Sequence, residues 1–124
     1  MDDLVLSPLG KTWILDLDGV LFPHNGYLEG NECPLPGVMA FFRTLPERDF
    51  VIVVTARPEP YRARTLRAFD KFDLRVDLLV MGAPVGERVL VNDIKPSGLP
   101  TAYAINVHRN EGLAGVRVII DRGL

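Results

Sequence analysis

The chain has 124 residues, which is enough for one globular domain and too few for two ordinary ones. Its residues are 48% hydrophobic and 24% charged, a balance that excludes an intrinsically disordered chain. The formal net charge of −2 offers no overall basic excess, which argues against nucleic acid or an anionic membrane surface as a partner.

Cysteine usage and hydropathy favour a cytoplasmic protein. Cys33 is the only cysteine, so no internal disulfide can form, and a reducing compartment is the simplest interpretation. The first residues lack a basic region followed by a long apolar run, and no apolar stretch is long enough to cross a bilayer. We therefore expect no membrane partner.

Strand-like and helix-like segments alternate along the chain. A helix is predicted between Pro36 and Pro46, because proline is tolerated in a first helical turn and ends a helix elsewhere. A second helix is predicted over residues 58–72, where Ala63, Leu66 and Phe69 form one apolar stripe. Apolar strands that alternate with helices indicate an α/β fold with a Rossmann-like, mainly parallel sheet and helices on both faces. The predicted strands are residues 12–18, 49–56, 74–81, 88–93, 101–106 and, as an edge strand, 116–120.

Polar side chains stand where the predicted strands end: Asp16 and Asp18, then Thr55, then Asn92 and Asp93. Ligands of such sheets bind at the carboxyl ends of the strands. Residues i and i+2 of a strand share a face, so Asp16 and Asp18 are expected to face one crevice. Three carboxylates there would repel one another, and a cation such as Mg²⁺, which prefers oxygen ligands, would relieve that repulsion.

Each of these features also has a purely structural interpretation. Asp-x-Asp-Gly is often a solvated turn, Thr55 alone is more often a strand residue with a local hydrogen bond, and Asn92-Asp93 alone is an ordinary turn. The functional interpretation depends on all three lying at strand ends in this chain order.

The segments DLDGV, VIVVTARP and VLVNDIKP resemble motifs of the haloacid dehalogenase (HAD) superfamily of aspartate-nucleophile phosphohydrolases. The resemblance extends over about residues 12–106, and the segment from Val89 onward also resembles small HAD phosphatases, some of them linked to surface-sugar biosynthesis. It implies that Asp16 is the nucleophile, which forms an aspartyl-phosphate, and that Asp18 is the general acid/base.

The same resemblance implies how the phosphoryl group and the metal are held. Phosphoryl oxygens would be bound by the Thr55 hydroxyl and the Ala56 amide, with Arg57 as a further substrate-binding residue. Mg²⁺ would be held by Asp16, the backbone carbonyl of Asp18, Asp93 and, as a neutral oxygen donor, Asn92.

The chain departs from the family pattern at two places. A lysine is expected shortly before the last motif, but Ala83 stands in that region. Lys95 is the candidate replacement, Arg57 and Arg64 are alternatives, and a solvated lysine in a turn is an equally acceptable interpretation of Lys95. The last motif is commonly Asp-Asp, whereas here its first residue is asparagine, which lowers the negative charge of the site.

The spacing of the motifs leaves no room for a cap domain. Only positions 19–54 separate Asp18 from Thr55, and the predicted core elements use most of them. Residues 21–33 remain as a short flap, and residues 1–124 are expected to form a single HAD-like domain. An open site suits a large substrate or one enclosed by a neighbouring subunit, so we expect a homo-oligomer.

These observations predict a Mg²⁺-dependent phosphomonoester hydrolase that acts on a sugar phosphate or a similar small phosphorylated metabolite. Two alternatives remain open at this point. One is a catalytically weak phosphate- or metal-binding module, favoured by Ala83 and Asn92. The other is a phosphatase with a macromolecular substrate, of which the nucleic-acid version has little support from the charge balance.

Overall fold

A central three-stranded parallel sheet and a separate parallel strand pair organise the chain. The computed structural model describes residues 3–124. The strands are β1 (Asp3–Leu6), β2 (Thr12–Asp16), β3 (Phe50–Val54), β4 (Leu78–Val80) and β5 (Arg117–Ile120); the helices are α1 (Val38–Thr44) and α2 (Arg62–Lys71), with 3₁₀ turns at Gly26–Leu28 and Glu59–Tyr61. The strand order is β2-β3-β4 in the central sheet, while β1 pairs with β5.

One face of the central sheet carries the hydrophobic core. The register places Trp13 opposite Val51, Leu15 opposite Val53, and Val53 opposite Leu79. These side chains share a face because alternate residues of a strand point to the same side. Both helices cover this face, and they contribute the buried side chains Val38, Phe42, Ala68 and Phe69.

The opposite face of the sheet is largely open to solvent. Ile14 of β2, Phe50 of β3, and Leu78 and Val80 of β4 are all classed as exposed. Helices were expected on both faces, whereas the two helices among residues 3–124 contribute their buried side chains to the core on one face. The predicted α/β class, with a Rossmann-like parallel sheet and without a cap domain, is confirmed.

The boundaries of α1 follow from its flanking residues, as predicted. Gly37 at its N-terminus has φ +81°, and a Cβ atom there would lie 2.3 Å from the backbone nitrogen of Ala114, so only glycine fits. The helix ends at Thr44, two residues before Pro46, which cannot continue a helix. The helix predicted over 58–72 is also present, as a 3₁₀ turn that leads into α2.

The second half of the chain contains less regular structure than the sequence predicts. Residues 88–93 and 101–106 were expected to be strands but form irregular segments, in which Val89 and Val91 are strongly exposed. The third predicted strand is shortened to β4, and the predicted edge strand at 116–120 is present as β5. Its partner β1 was not predicted. Within residues 3–124 no helix has the length and apolar character needed to span a bilayer.

Candidate functional site

Asp16 is the last residue of β2, and its side chain is half-exposed at the carboxyl end of the central sheet. Its Oδ1 atom accepts a hydrogen bond from the backbone N–H of Leu17 at 2.9 Å, which orients the carboxylate. The guanidinium of Arg88 lies beside it, with Nη1 3.4 Å from Oδ1. The carboxylate therefore has a cationic neighbour and remains open to a ligand.

Asp18 lies two residues beyond Asp16 and is held by a bidentate ion pair with Arg57. Nη2 of Arg57 donates to Oδ1 of Asp18 at 2.9 Å, and Nε donates to Oδ2 at 3.0 Å. The Asp18 side chain is only 16% exposed. Two parallel charge-assisted hydrogen bonds fix the plane of a carboxylate more firmly than one does.

The Nη1 group of Arg57 is also used. Nη1 donates to Oε1 of Glu32 at 2.8 Å and to Oγ1 of Thr65 at 2.9 Å, and the ring of Tyr27 lies 4.2 Å from the guanidinium carbon. The guanidinium is 0% exposed. Substrate binding by Arg57 stays a prediction from the sequence: in the structure its side chain is buried, and Nε, Nη1 and Nη2 each donate to a side chain of the protein.

Thr55 directly follows β3 and is almost fully buried. It lies next to the carboxyl end of β2, because Val54 pairs with Asp16. Its hydroxyl oxygen accepts the backbone N–H of Arg57 at 3.0 Å, and its own N–H donates to the carbonyl of Val80 at 2.9 Å. This leaves the hydroxyl proton available as a donor. The N–H of Ala56 makes no backbone hydrogen bond among residues 3–124, so it too can donate to a ligand.

The loop after Asp18 is fixed by the C-terminal part of the chain. The N–H of Asn110 donates to the carbonyl of Gly19 at 2.9 Å, and its side-chain oxygen accepts the N–H of His24 at 2.7 Å. Gly19 has φ +87°, and a Cβ atom there would lie 3.3 Å from Cγ of Arg109. The turn that follows the two aspartates therefore favours glycine, because residues with a side chain rarely adopt this positive φ.

Asn92, Asp93 and Lys95 lie in an exposed, irregular segment that is held mainly by its own contacts. The Asn92 amide donates to Oγ1 of Thr101 at 2.9 Å, and the Thr101 hydroxyl donates to the backbone carbonyl of Asp93. Lys95 forms a turn through its backbone with Leu99. The Lys95 side chain, predicted to be catalytic, makes no hydrogen bond or ion pair in the described part of the chain, and Arg88 is the cation found beside Asp16.

The predicted set of metal ligands is not assembled by these contacts. Across residues 3–124, no group of three or more His, Cys, Asp and Glu side chains is placed to hold a metal ion. Asp16 has a half-exposed carboxylate suited to Mg²⁺, and Asp93 belongs to no such group. Arg57 occupies the carboxylate oxygens of Asp18 but not its backbone carbonyl, which is the atom that the resemblance assigns to the metal. Magnesium binding therefore stays a prediction from the sequence.

Two residues of this region were not singled out in the sequence. Glu32 meets Arg57 from 25 positions away, and Arg88 meets Asp16 from the segment that was expected to form a strand. Nothing in the sequence near Glu32, which lies in a turn-rich segment, indicates its contact with Arg57. The same holds for Arg88, which stands at the start of an apolar run. Both contacts are visible only once the chain is folded.

Comparison with known proteins identifies one structural likeness. Neither a protein-family model nor a curated protein sequence matches the chain at a significant level. A chain of the solved Pnkp1/Rnl/Hen1 complex is similar in fold, with a TM-score of 0.51 and 27% sequence identity over 66% of this chain. The match covers 31% of that other chain, so this chain spans about a third of the length of its structural relative.

Proposed function

We propose that the protein is a phosphomonoester hydrolase of the HAD type, which works through an aspartyl-phosphate on Asp16. The observation that carries this proposal is the half-exposed Asp16 carboxylate at the end of β2, with Arg88 at 3.4 Å and the ordered Asp18 two residues away. The sequence motifs around these aspartates and the structural likeness to a chain of the Pnkp1/Rnl/Hen1 complex support it.

The proposed reaction has two steps. In the first, a carboxylate oxygen of Asp16 attacks phosphorus and the bond from phosphorus to the ester oxygen breaks. Asp18 enters this step protonated, with one of its two contacts to Arg57 opened, and gives its proton to the leaving oxygen. In the second, Asp18 takes a proton from water, the water oxygen attacks phosphorus, and the bond to Asp16 breaks. Inorganic phosphate leaves, and both carboxyl groups return to their starting states.

Three groups of this chain stabilise the charge that develops on the phosphoryl oxygens. Arg88 supplies a positive charge next to Asp16, while the Thr55 hydroxyl and the Ala56 N–H supply donors at the end of β3. Donors that are already in place before the reaction need no reorganisation, which is why they lower the barrier. Arg88 takes the place proposed from the sequence for Lys95.

The finer features of the proposal come from the sequence. They are dependence on Mg²⁺, a sugar phosphate or similar small metabolite as substrate, association of copies of the chain around an open site, and a cytoplasmic location.

A second candidate is a phosphate-binding module with little turnover. It is favoured by the exposed, irregular segment in which Asp93 and Lys95 lie. It is also favoured because, among residues 3–124, no group of three or more His, Cys, Asp and Glu side chains is placed to hold a metal ion. This candidate predicts stabilisation of the fold by phosphate or a phosphorylated metabolite without hydrolysis.

Release of phosphate from an aryl phosphate separates the two candidates. The native chain and Asp16→Asn are assayed with added Mg²⁺ and with a chelator, and the melting temperature is followed with phosphate. We expect turnover by the native chain in Mg²⁺ and none by the variant or with the chelator. Turnover that survives Asp16→Asn contradicts the mechanism. Stabilisation by phosphate without hydrolysis across a broad substrate panel favours the binding module.

A further inference from the structure

Glu32 contacts neither Asp16 nor Asp18 through any described hydrogen bond, yet it shares the buried arginine on which Asp18 depends. We infer that Glu32 is a positioning residue for the Asp18 carboxylate and that it acts through Arg57. The inference deepens the proposed function and rests on it for the catalytic consequence. The geometric part, that Glu32 controls the placement of Asp18, can be tested separately.

The shape of the guanidinium group makes this coupling possible. The group is planar and rigid, with five N–H donors in fixed directions. Glu32 and Thr65 accept from Nη1, at 2.8 and 2.9 Å, while Asp18 accepts from Nε and Nη2. Because the donors belong to one rigid plane, anchoring Nη1 on one side sets the direction in which the other two donors point toward Asp18.

Burial makes the anchor necessary. The guanidinium is 0% exposed, and the ring of Tyr27 packs 4.2 Å from its central carbon, so water cannot readily replace a lost protein partner. A buried donor without an acceptor costs about 1–3 kcal/mol. Without Glu32, rotation of the guanidinium would recover an acceptor for Nη1 at the expense of the bidentate contact with Asp18.

Glu32 also connects this arrangement to the flap, residues 21–33. The start of the flap is fixed in the core by Leu21 and Phe22, which are fully buried, and Asn31 donates its N–H to the carbonyl of Gly26 at 2.7 Å. The flap therefore presents Glu32 from a folded segment. The position of Glu32 therefore sets the orientation of the Arg57 guanidinium, which in turn orients the Asp18 carboxylate.

The kinetic test compares Glu32→Ala, Glu32→Gln and the matched control Glu29→Ala, an exposed carboxylate of the same segment with no described side-chain partner. We expect Glu32→Ala to lower kcat by about 10- to 100-fold with KM changed by less than about twofold, because a displaced catalytic group slows the reaction without weakening substrate binding. Glu32→Gln keeps an oxygen that can accept from Nη1 and should restore most of kcat. Glu29→Ala should match the native chain.

Nuclear magnetic resonance of Arg57 Nε–H and the Asp18 and Gly19 amides tests the geometry without turnover. We expect these signals to shift in Glu32→Ala, to shift less in Glu32→Gln, and to stay unchanged in Glu29→Ala. If Glu32→Ala unfolds, Glu32→Ser, whose short side chain cannot reach Nη1 of Arg57, replaces it in the same comparison with the control. Unchanged signals at Arg57 and Asp18 in the folded Ala or Ser variant overturn the inference, as does a rise in KM alone in that variant. Absence of turnover by the native chain overturns the proposed function instead, and the resonance comparison still decides whether Glu32 positions Asp18.

Discussion

Arg57 binds Asp18 through two parallel hydrogen bonds of 2.9 and 3.0 Å, and the guanidinium that makes them is fully buried. A buried arginine is stable only if its charge and its donors are compensated. Asp18, Glu32 and Thr65 provide this compensation from the loop after β2, the flap and α2. Arg57, which fixes the position of the proposed acid/base Asp18, therefore also links three parts of the fold.

Replacing Arg57 should destabilise the fold substantially. Arg57→Ala leaves Asp18 and Glu32 as poorly exposed carboxylates that have lost their common cation. Removing one partner of such a pair costs about 3–5 kcal/mol in the free energy of unfolding. Urea denaturation measures this cost, with the exposed Arg64→Ala on α2 as the control, for which a change below about 0.5 kcal/mol is expected. Equal stability of the two variants would contradict the structural role given to Arg57.

The Thr55 hydroxyl should matter for both turnover and stability. Thr55→Val keeps the shape of the buried side chain but removes the acceptor of the Arg57 N–H and the donor proposed for a phosphoryl oxygen. We expect kcat to fall by about 100-fold or more and the free energy of unfolding to fall by about 1–3 kcal/mol. Thr55→Ser retains the hydroxyl and should preserve most of both quantities. If Thr55→Val is as active as Thr55→Ser, the Thr55 hydroxyl does not bind the phosphoryl group.

Arg88 and Lys95 are distinguished by one pair of variants. Arg88→Ala removes the cation 3.4 Å from Asp16, and loss of one group that stabilises developing charge typically costs about 100- to 1000-fold in kcat. Lys95→Ala changes an exposed side chain without a described partner and should leave turnover unchanged. The reverse result, with Lys95 essential and Arg88 dispensable, would restore the assignment made from the sequence.

The Tyr27 phenol should make the fold less stable at alkaline pH. Burial, and then the negative charge of Asp18, raise the pKa of the Tyr27 phenol above its usual value of 10.0. Its contribution to stability is fully present below pH 10. It declines as the pH rises further, because the phenol ionises more readily in the unfolded chain. Unfolding by urea at a series of pH values up to about 11 should show a weaker decline in Tyr27→Phe, whereas Tyr103→Phe, which keeps Tyr27, should follow the native chain.

The sequence predicts those parts of the fold that local patterns determine. The apolar runs over 12–18 and 49–56 became adjacent parallel strands, and Pro46 follows shortly after the end of the first helix. Because parallel strands end at the same edge of a sheet, the chain positions of Asp16 and Thr55 were sufficient to place both of them there.

Other features depend on partners that are distant in the sequence. The apolar run 88–93 has the composition of a strand, but composition does not provide the neighbouring strand that a ladder needs. The Glu32–Arg57 contact joins residues 25 positions apart, and the motif arginine was assigned to substrate because nothing near it in the sequence reveals its burial. Such long-range polar contacts are settled by packing and not by local pattern.

Covalent phosphorylation of Asp16 is the step on which the proposed mechanism depends. With an aryl phosphate, whose leaving group needs little protonation, Asp18→Asn should slow the second step more than the first and let the intermediate accumulate. Borohydride reduces an aspartyl-phosphate to homoserine, which peptide mass spectrometry can locate in the quenched native and Asp18→Asn chains. We expect homoserine at position 16, more of it in Asp18→Asn and none in Asp16→Asn. Turnover with Asp16 unmodified, or modification at another residue, would contradict this mechanism.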